Sequence, residues 1–430
     1  MAPSTKSPAV YLYQWLLDGL YWWVRLFTWA KKSSFRERLG FYPPRAREAL
    51  ESGSNFWLHA ASAGEVNAIL PFARVLKEKT PTMKLILTTT SETGKKLALD
   101  KKAADEVFLA PLDMTRPLRR AFQAFRPEAV LVAETEIWPN WLFRAVRNQV
   151  PVLLINGRIS DKSFPTYRKL KFLFGPALRC FNQCLVQTEG DRDKLIELGL
   201  PEKRIQVAGQ MKYDLEAPTD EGAREWGAAL GVQKGDELAA FGSLRDGEED
   251  LWAAEIPGLL ERHPRLKIFL APRHVKNAET YQAKLFAVKV ESVLRSRVFK
   301  GQAFRVLVMD TVGELSLAYH LSRVAFVGGT LVPIGGHNLM EPALSSVPVL
   351  FGPYTRNVSE AGEALKVQGG GFQASNVREL TEWLEKLLDP KRSQNAGEKA
   401  RRAVEALRGA TEKNLKVVEA YLPSGISRTK

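Results

Sequence analysis

Cysteine is almost missing from the 430-residue chain: Cys180 and Cys184, four positions apart, are the only two. That spacing excludes a zinc quartet, a Cys-x-x-Cys redox pair and a disulfide framework, and points to a reduced, cytosol-facing protein whose thiols are packing residues. The phosphate-cradling Gly-x-x-x-x-Gly-Lys-Ser/Thr loop is absent, as is a Gly-x-Gly-x-x-Gly fingerprint opening the chain, so dinucleotide oxidoreduction is disfavoured. No solenoid repeat occurs, and a composition of 45% hydrophobic and 26% charged residues excludes disorder and collagen-like structure. The length rules out a single small binding module and predicts two or three domains, since ~100 to 200 residues make one. Positive charge is in excess: 62 Lys plus Arg against 48 Asp plus Glu leave +14, which favours nucleic acid, an anionic membrane face or a phosphorylated substrate as partner.

Residues 9–30 hold eight aromatics and only two formal charges, Asp18 and Arg25, and Lys31, Lys32, Arg36 and Arg38 follow them. Signal-peptide cleavage is not expected, because the basic residues come after the apolar run and no small-x-small site ends it. Gln14, Asp18, Arg25 and Lys32 fall on one helical stripe, with Trp, Tyr, Phe and Leu over the rest, the pattern of a helix lying in a membrane interface. A spanning helix would have to bury both charges, at about 2.5 to 3.5 kcal/mol each. An aromatic helix buried in the protein body is the other reading. The basic flank predicts that the bulk of the chain stays cytoplasmic.

From residue 55 the chain alternates short apolar runs, polar or glycine-rich tips and helical stretches. The runs are NFWLHA, KLILTTT, EVFLAP, AVLVAET, PVLLING, CLVQTEG and IQVAGQMKYD, then LAAFGS, KIFLAPRH, RVLVMDT, RVAFVGG, PVLFGP and GGGFQAS. Continuous apolar strands between helices imply parallel sheets covered on both faces. The expected architecture is therefore α/β, two doubly wound Rossmann-like domains facing across a cleft, behind the amino-terminal segment 1–34. Boundaries are expected at 35–215 and 223–430, with 216–222 as linker. The helical pattern over 391–421 ends the second domain or crosses back onto the first.

Ligands of open parallel sheets sit beyond the carboxyl ends of the strands, so the tips carry the functional reading. Ser62 and Glu65 fit a capping box, which needs no function; alternatively Ala63 and Gly64 let a substrate approach and leave Glu65 as a general base. A helix amino terminus lowers a carboxylate pKa, so the base reading requires an opposing effect such as partial burial. Thr89 and Glu92 read as a helix cap. Glu134 and Glu136 beside Trp138 suggest that one carboxylate touches a substrate or orients a cation, and Arg158 with Lys212 form a cationic pair for phosphate or leaving-group charge. Asp191 and Asp193 imitate a metal-binding Asp-x-Asp but open a helix, so they read as capping and no metal site is expected. In the second series, Arg273 and His274 stand together at a strand end, and the glycines of GGTLVPIGGHNLMEP precede a helix starting near Asn338, an anion seat in which Glu341 can accept ribose hydroxyls.

The motifs HAASAGEV, ETEIWPN, INGRIS, GSLR, APRH, MDTVGEL and GGHNLMEP, in this order over residues 35 to about 360, resemble the 3-deoxy-D-manno-octulosonic acid (Kdo) transferase family of lipopolysaccharide biosynthesis. The resemblance implies a GT-B glycosyltransferase that moves Kdo from CMP-Kdo to the lipid A precursor, without metal or other cofactor, on the cytoplasmic side of the inner membrane of a Gram-negative bacterium. It implies that residues 35–215 bind the acceptor and 223–430 the CMP-sugar, with 1–34 anchoring the chain to the anionic membrane. Glu65 becomes the base that deprotonates the acceptor hydroxyl, with inversion. Glu134 and Lys212 stabilise the transition state. Arg273 and His274 bind the CMP phosphate, the backbone of Gly313, Glu314 and Leu315 meets the cytosine, and Asn338 with Glu341 hold phosphate and ribose. A GT-B transferase or epimerase using a UDP-sugar is the alternative enzyme. A basic membrane adaptor or nucleic-acid-binding protein is the non-catalytic alternative, although the body of the chain lacks the aromatic-basic interleaving of the latter.

Overall fold

The computed structural model describes residues 8–28, 33–43, 54–299 and 302–421, without the side chains of 25–28, 33 and 34. The chain divides into two compact units, one formed by 1–214 with 408–430, the other by 215–407. The first is built on a seven-stranded, wholly parallel sheet: β1 (Asn55–His59), β2 (Lys84–Thr89), β3 (Glu106–Leu109), β4 (Pro127–Ala133), β5 (Val152–Gly157), β6 (Gln183–Val186) and β7 (Ile205–Val207). Their spatial order is β3-β2-β1-β4-β5-β6-β7, a doubly wound arrangement whose winding reverses between β1 and β4. Those two strands therefore point their carboxyl ends into the crevice where ligands bind.

The apolar runs form strands because both faces of the sheet are covered. Side chains of β1 alternate between two cores. Trp57 packs against Phe122, Phe125 and Trp141 with ring centroids 5.1, 4.9 and 4.6 Å away, while Phe56 and Leu58 join Val66, Ile69 and Phe72 on the opposite face. Each such side chain contributes on the order of 1.5 to 3 kcal/mol by leaving water. In the helix Ala63–Lys79 the buried positions 66, 69, 72, 73 and 76 make one stripe that faces the second core.

The second unit has β8 (Glu237–Leu244), β9 (Leu266–Pro272), β10 (Ser292–Leu294), β11 (Val306–Val308), β12 (Val324–Val327), β13 (Val349–Phe351) and β14 (Gly371–Gln373), ordered β10-β11-β9-β8-β12-β13-β14 and again all parallel. Trp252 fills its core, 4.2 Å from the Phe241 ring and 5.0 Å from Phe326. The sequence does not announce β10, a three-residue edge strand.

Three expectations need correction. Residues 220–222 are not linker, since Thr219 caps a helix over Asp220–Ala229 by accepting from the Gly222 amide. The carboxyl-terminal stretch is divided: helix Pro390–Glu405 stays in the second unit, whereas helix Ala410–Glu419 belongs to the first and places Leu415 and Val418 in its core. Asp214 fixes that crossing by accepting from the amides of Gly409, at 2.6 Å, and Thr411.

The polar stripe of the amino-terminal segment also turns inward. Helix Pro8–Thr28 docks on the first unit through Tyr13, whose hydroxyl donates to Asp113 at 2.8 Å, and through Asp18, which accepts from the Thr115 amide at 3.0 Å. Asp18 thereby caps helix Thr115–Phe125, whose own N-cap residue Met114 supplies no side-chain bond. Arg25 as a side chain, together with Lys31 and Lys32, lies outside the described residues. The face left in solvent is apolar: Tyr11, Leu12, Trp15, Leu16, Leu20, Trp22 and Trp23 are all exposed. No described helix is long and apolar enough to cross a membrane.

Candidate functional site

In the first unit the tips of β1, β2, β4 and β5 converge on carboxylates. Ser62 caps helix Ala63–Lys79 by accepting from the Glu65 amide at 3.2 Å, and the Glu65 carboxylate accepts from the Ala61 amide at 2.8 Å and the Ser62 hydroxyl at 3.0 Å. The capping box is real, and it positions the base candidate. The preceding turn is fixed in turn by the hydroxyls of Thr89 and Thr90, which both donate to the Ala61 carbonyl at 2.8 Å. Thr89 therefore does not cap the next helix; Ser91 does, through the Gly94 amide. Burial pushes the Glu65 pKa up, and the bonds from Ala61 and Ser62 offset only part of this. The partial burial that the base reading requires is present, and it outweighs the helix terminus.

Glu134 sits just past β4 with φ at 56°, a left-handed conformation that costs a non-glycine residue on the order of 1 kcal/mol. Burial, then the Glu65 charge, pushes its pKa up to about 7, with Arg158 and Lys212 pulling it down and Glu136 adding to the rise. Four charged groups thus act on Glu134, two of each sign. Asn156, also left-handed at φ 50°, brings Lys212 in: its side-chain oxygen accepts from the Met211 amide at 3.0 Å and sets the turn Met211–Tyr213 against β5. Asp191 is buried and accepts from the Thr188 hydroxyl and the Ile159 amide, a purely structural role.

Because Glu134 holds its proton in the folded chain between pH 4.5 and about 7, where the unfolded chain has lost it, its contribution to stability is full below pH 4.5 and is lost as pH rises through 7. Glu134→Gln, which has no charge to bury, is expected to melt on the order of 5 °C above the parent at pH 8. Scanning calorimetry should find that gain several-fold smaller at pH 5.

In the second unit the winding reverses between β8 and β12, and both tips are held by one carboxylate that sequence reasoning missed. Glu248 is fully buried and accepts from the amides of Arg245 (2.9 Å), Gly329 (2.7 Å), Thr330 (3.1 Å) and Leu331 (2.9 Å). Only glycine fits at 328, where a Cβ would lie 2.5 Å from the Ser243 carbonyl oxygen and 2.7 Å from the Glu248 carboxylate. The loop arrangement presents Arg245, whose Nε donates to His337 Nε2 at 3.1 Å and whose Nη1 lies 3.1 Å from His274 Nε2. Burial, followed by the charges of Arg273, Arg245 and His274, pushes the His337 pKa down to about 4, so this imidazole is neutral at pH 7 and serves as acceptor.

Arg245, Arg273 and His274 are thus gathered around His337, an arrangement chemically able to receive an anion, and Arg245 and His337 join the expected residues. Asn338 donates to Glu341 at 3.2 Å, and burial pushes the Glu341 pKa up. The helix beside them is Met340–Leu344, which begins two residues after Asn338 and is five residues long, so the guanidinium groups rather than a helix terminus supply the positive charge. Glu314 is committed internally, accepting from Trp226 at 2.6 Å, from both Nε (3.2 Å) and Nη2 (2.7 Å) of Arg295, and from Thr311. At this position the backbone is what remains for a ligand. Gly313, with φ at 94° and open space where a Cβ would stand, leaves it accessible next to Leu315, which opens the following helix. Among the described residues no cluster of three His, Cys, Asp or Glu side chains is placed to hold a metal.

Residues 33–215 match the family model described as 3-deoxy-D-manno-octulosonic-acid transferase (kdotransferase). A 3-deoxy-D-manno-octulosonic acid transferase of Bordetella pertussis is 31% identical over 432 residues, covering 96% of this chain and 99% of that protein. The Haemophilus influenzae protein of the same description is 30% identical over 396 residues, covering 91% and 92% respectively. Among solved structures, a glycosyltransferase from Rickettsia africae matches with a TM-score of 0.56 at 13% identity, over 87% of this chain and all of that one, a likeness of fold. That fold is GT-B.

Proposed function

Because the chain belongs to the 3-deoxy-D-manno-octulosonic acid transferase family of glycosyltransferases, we propose that it moves Kdo from CMP-Kdo to a lipid A precursor with inversion at the anomeric carbon. The observation that carries the reading is the carboxylate of Glu65: anchored at two points, raised in pKa by burial, and beside Glu134, whose carboxyl feels the charges of Glu65, Arg158 and Lys212 together. Glu65 takes the proton of the acceptor hydroxyl as its oxygen attacks the anomeric carbon, and the bond from that carbon to the phosphate oxygen breaks as CMP leaves. Raised basicity favours this step, since a base works best with a pKa nearer the working pH. Ionised Glu134 faces the positive charge that develops on the sugar, and Lys212 offsets the charge of the departing phosphate.

In the second unit Arg245, Arg273 and His274 receive the single phosphate of CMP, the backbone at 313–315 meets the base, and Asn338 with Glu341 take the ribose. Two guanidinium groups and an imidazole around one phosphate supply the charge compensation and hydrogen bonds that a divalent ion supplies to a diphosphate. The exposed apolar face of helix Pro8–Thr28 supports placement at a membrane surface, which we assign to the cytoplasmic side of the inner membrane of a Gram-negative cell.

Calorimetric titration with CMP and with UDP tests the donor assignment. CMP is expected to bind at least about tenfold more tightly, since a second phosphate would have to find charge the site does not hold. Tighter binding of UDP would favour a UDP-sugar enzyme instead.

A further inference from the structure

One buried polar group at the tip of β1 has no part in the chemistry above. His59 is fully buried, with Nδ1 2.9 Å from the Thr88 hydroxyl oxygen, and Trp57 Nε1 donates to the same oxygen at 2.8 Å. An indole nitrogen only donates, so the Thr88 oxygen accepts there and its own proton goes to His59 Nδ1. The opposite arrangement would leave the hydroxyl proton buried without an acceptor, at about 1 to 3 kcal/mol. The imidazole proton therefore sits on Nε2. That nitrogen has no hydrogen-bond partner and lies 3.9 Å from the Glu136 carboxylate.

Glu136 accepts from Trp138 Nε1 at 2.5 Å and fronts a pocket of roughly 290 Å³ walled by Leu112, Leu118, Trp138 and Trp141, with Arg38 and Asp113 on its lining. Two carboxylates disfavour a phosphate there, and the Arg38 guanidinium is already donating to the Thr90 carbonyl. An acyl chain would leave the remaining acceptor positions of Glu136 and the His59 donor unmatched. Aromatic walls with a carboxylate acceptor suit a neutral, hydroxyl-bearing ring. We propose that this pocket is a subsite for one pyranose ring of the acceptor, in which Glu136 accepts from a ring hydroxyl, Trp138 offers its face, and His59 is a positioning residue that steadies Glu136 through its Nε2 proton. The inference rests on the proposed acceptor reading of the first unit. Moving the two groups about 1 Å closer on binding completes the relay from Trp57 through Thr88 and His59 to Glu136.

Steady-state kinetics of the full chain, varying acceptor and CMP-Kdo separately, test this with three variants. In His59→Asn the amide oxygen can still accept from Thr88, but no donor remains toward Glu136; His59→Gln restores a donor near the Nε2 position. His59→Asn and the partly exposed Glu136→Gln are expected to raise the acceptor KM about tenfold or more with the donor KM unchanged, and His59→Gln to recover most of the loss. Unchanged acceptor KM in Glu136→Gln, or equal losses in both His59 variants with a raised donor KM, would overturn the proposal while leaving the transferase reading intact. A parent chain that transfers no sugar to this acceptor would remove both.

Discussion

Glu65→Gln is expected to lower turnover by about 10³-fold or more while leaving the fold and the donor KM unchanged. The physical separation of these effects is favourable. Glutamine is accepted in a capping box, and its amide oxygen can still accept from the Ala61 amide, so the helix Ala63–Lys79 keeps its start. The charge that receives the acceptor proton is lost, and an amide cannot replace it. If Glu65 were a cap alone, the variant would melt and turn over like its parent. The pH profile carries the same information: burial holds the Glu65 carboxyl above its ordinary value of 4.5, so activity that needs it ionised falls on an acid limb lying above pH 4.5. A variant that kept more than about a tenth of the parent rate would refute the assignment.

Glu248→Ala has the largest expected effect on structure. Four amides, from Arg245, Gly329, Thr330 and Leu331, converge on this carboxylate inside the protein, and alanine leaves all of them without a partner. The expected destabilisation is about 3 to 5 kcal/mol, or roughly 10 °C in the melting of the second unit. Because these amides belong to the loops that present Arg245 and shape the glycine turn at 328–329, CMP binding should be lost together with stability. Glu248→Gln keeps one acceptor oxygen and is expected to fall in between. Calorimetry and CMP titration on the same samples check both points, and an alanine variant that melted like the parent would show that the loops hold themselves.

Much of this was readable from the chain because wholly parallel sheets demand continuous apolar strands, and runs such as PVLLING and KIFLAP admit few other structures. β10 escaped because Ser292–Leu294 is three residues long at a sheet edge and only partly buried. Helix Ala410–Glu419 was hard to assign because an amphipathic stripe has the same pattern whichever core it covers. Asp18 misled for a related reason: one charge among aromatics fits a membrane-lying helix and equally a helix that caps a neighbour through that charge. Glu65 was legible since its capping spacing and its place after a strand are local. Glu248 was not, because three of its four partners lie 81 to 83 residues further along the chain. The role of Arg245 likewise depends on His337, 92 positions away.

The most direct test of the proposed activity is to incubate the purified protein in detergent with CMP-Kdo and tetra-acylated lipid A precursor, with chelator present, and to weigh the glycolipid by mass spectrometry. A gain of one or more Kdo units, absent with Glu65→Gln, is the expected result. An unchanged acceptor mass, with CMP-Kdo intact and the parent protein folded, would contradict the account.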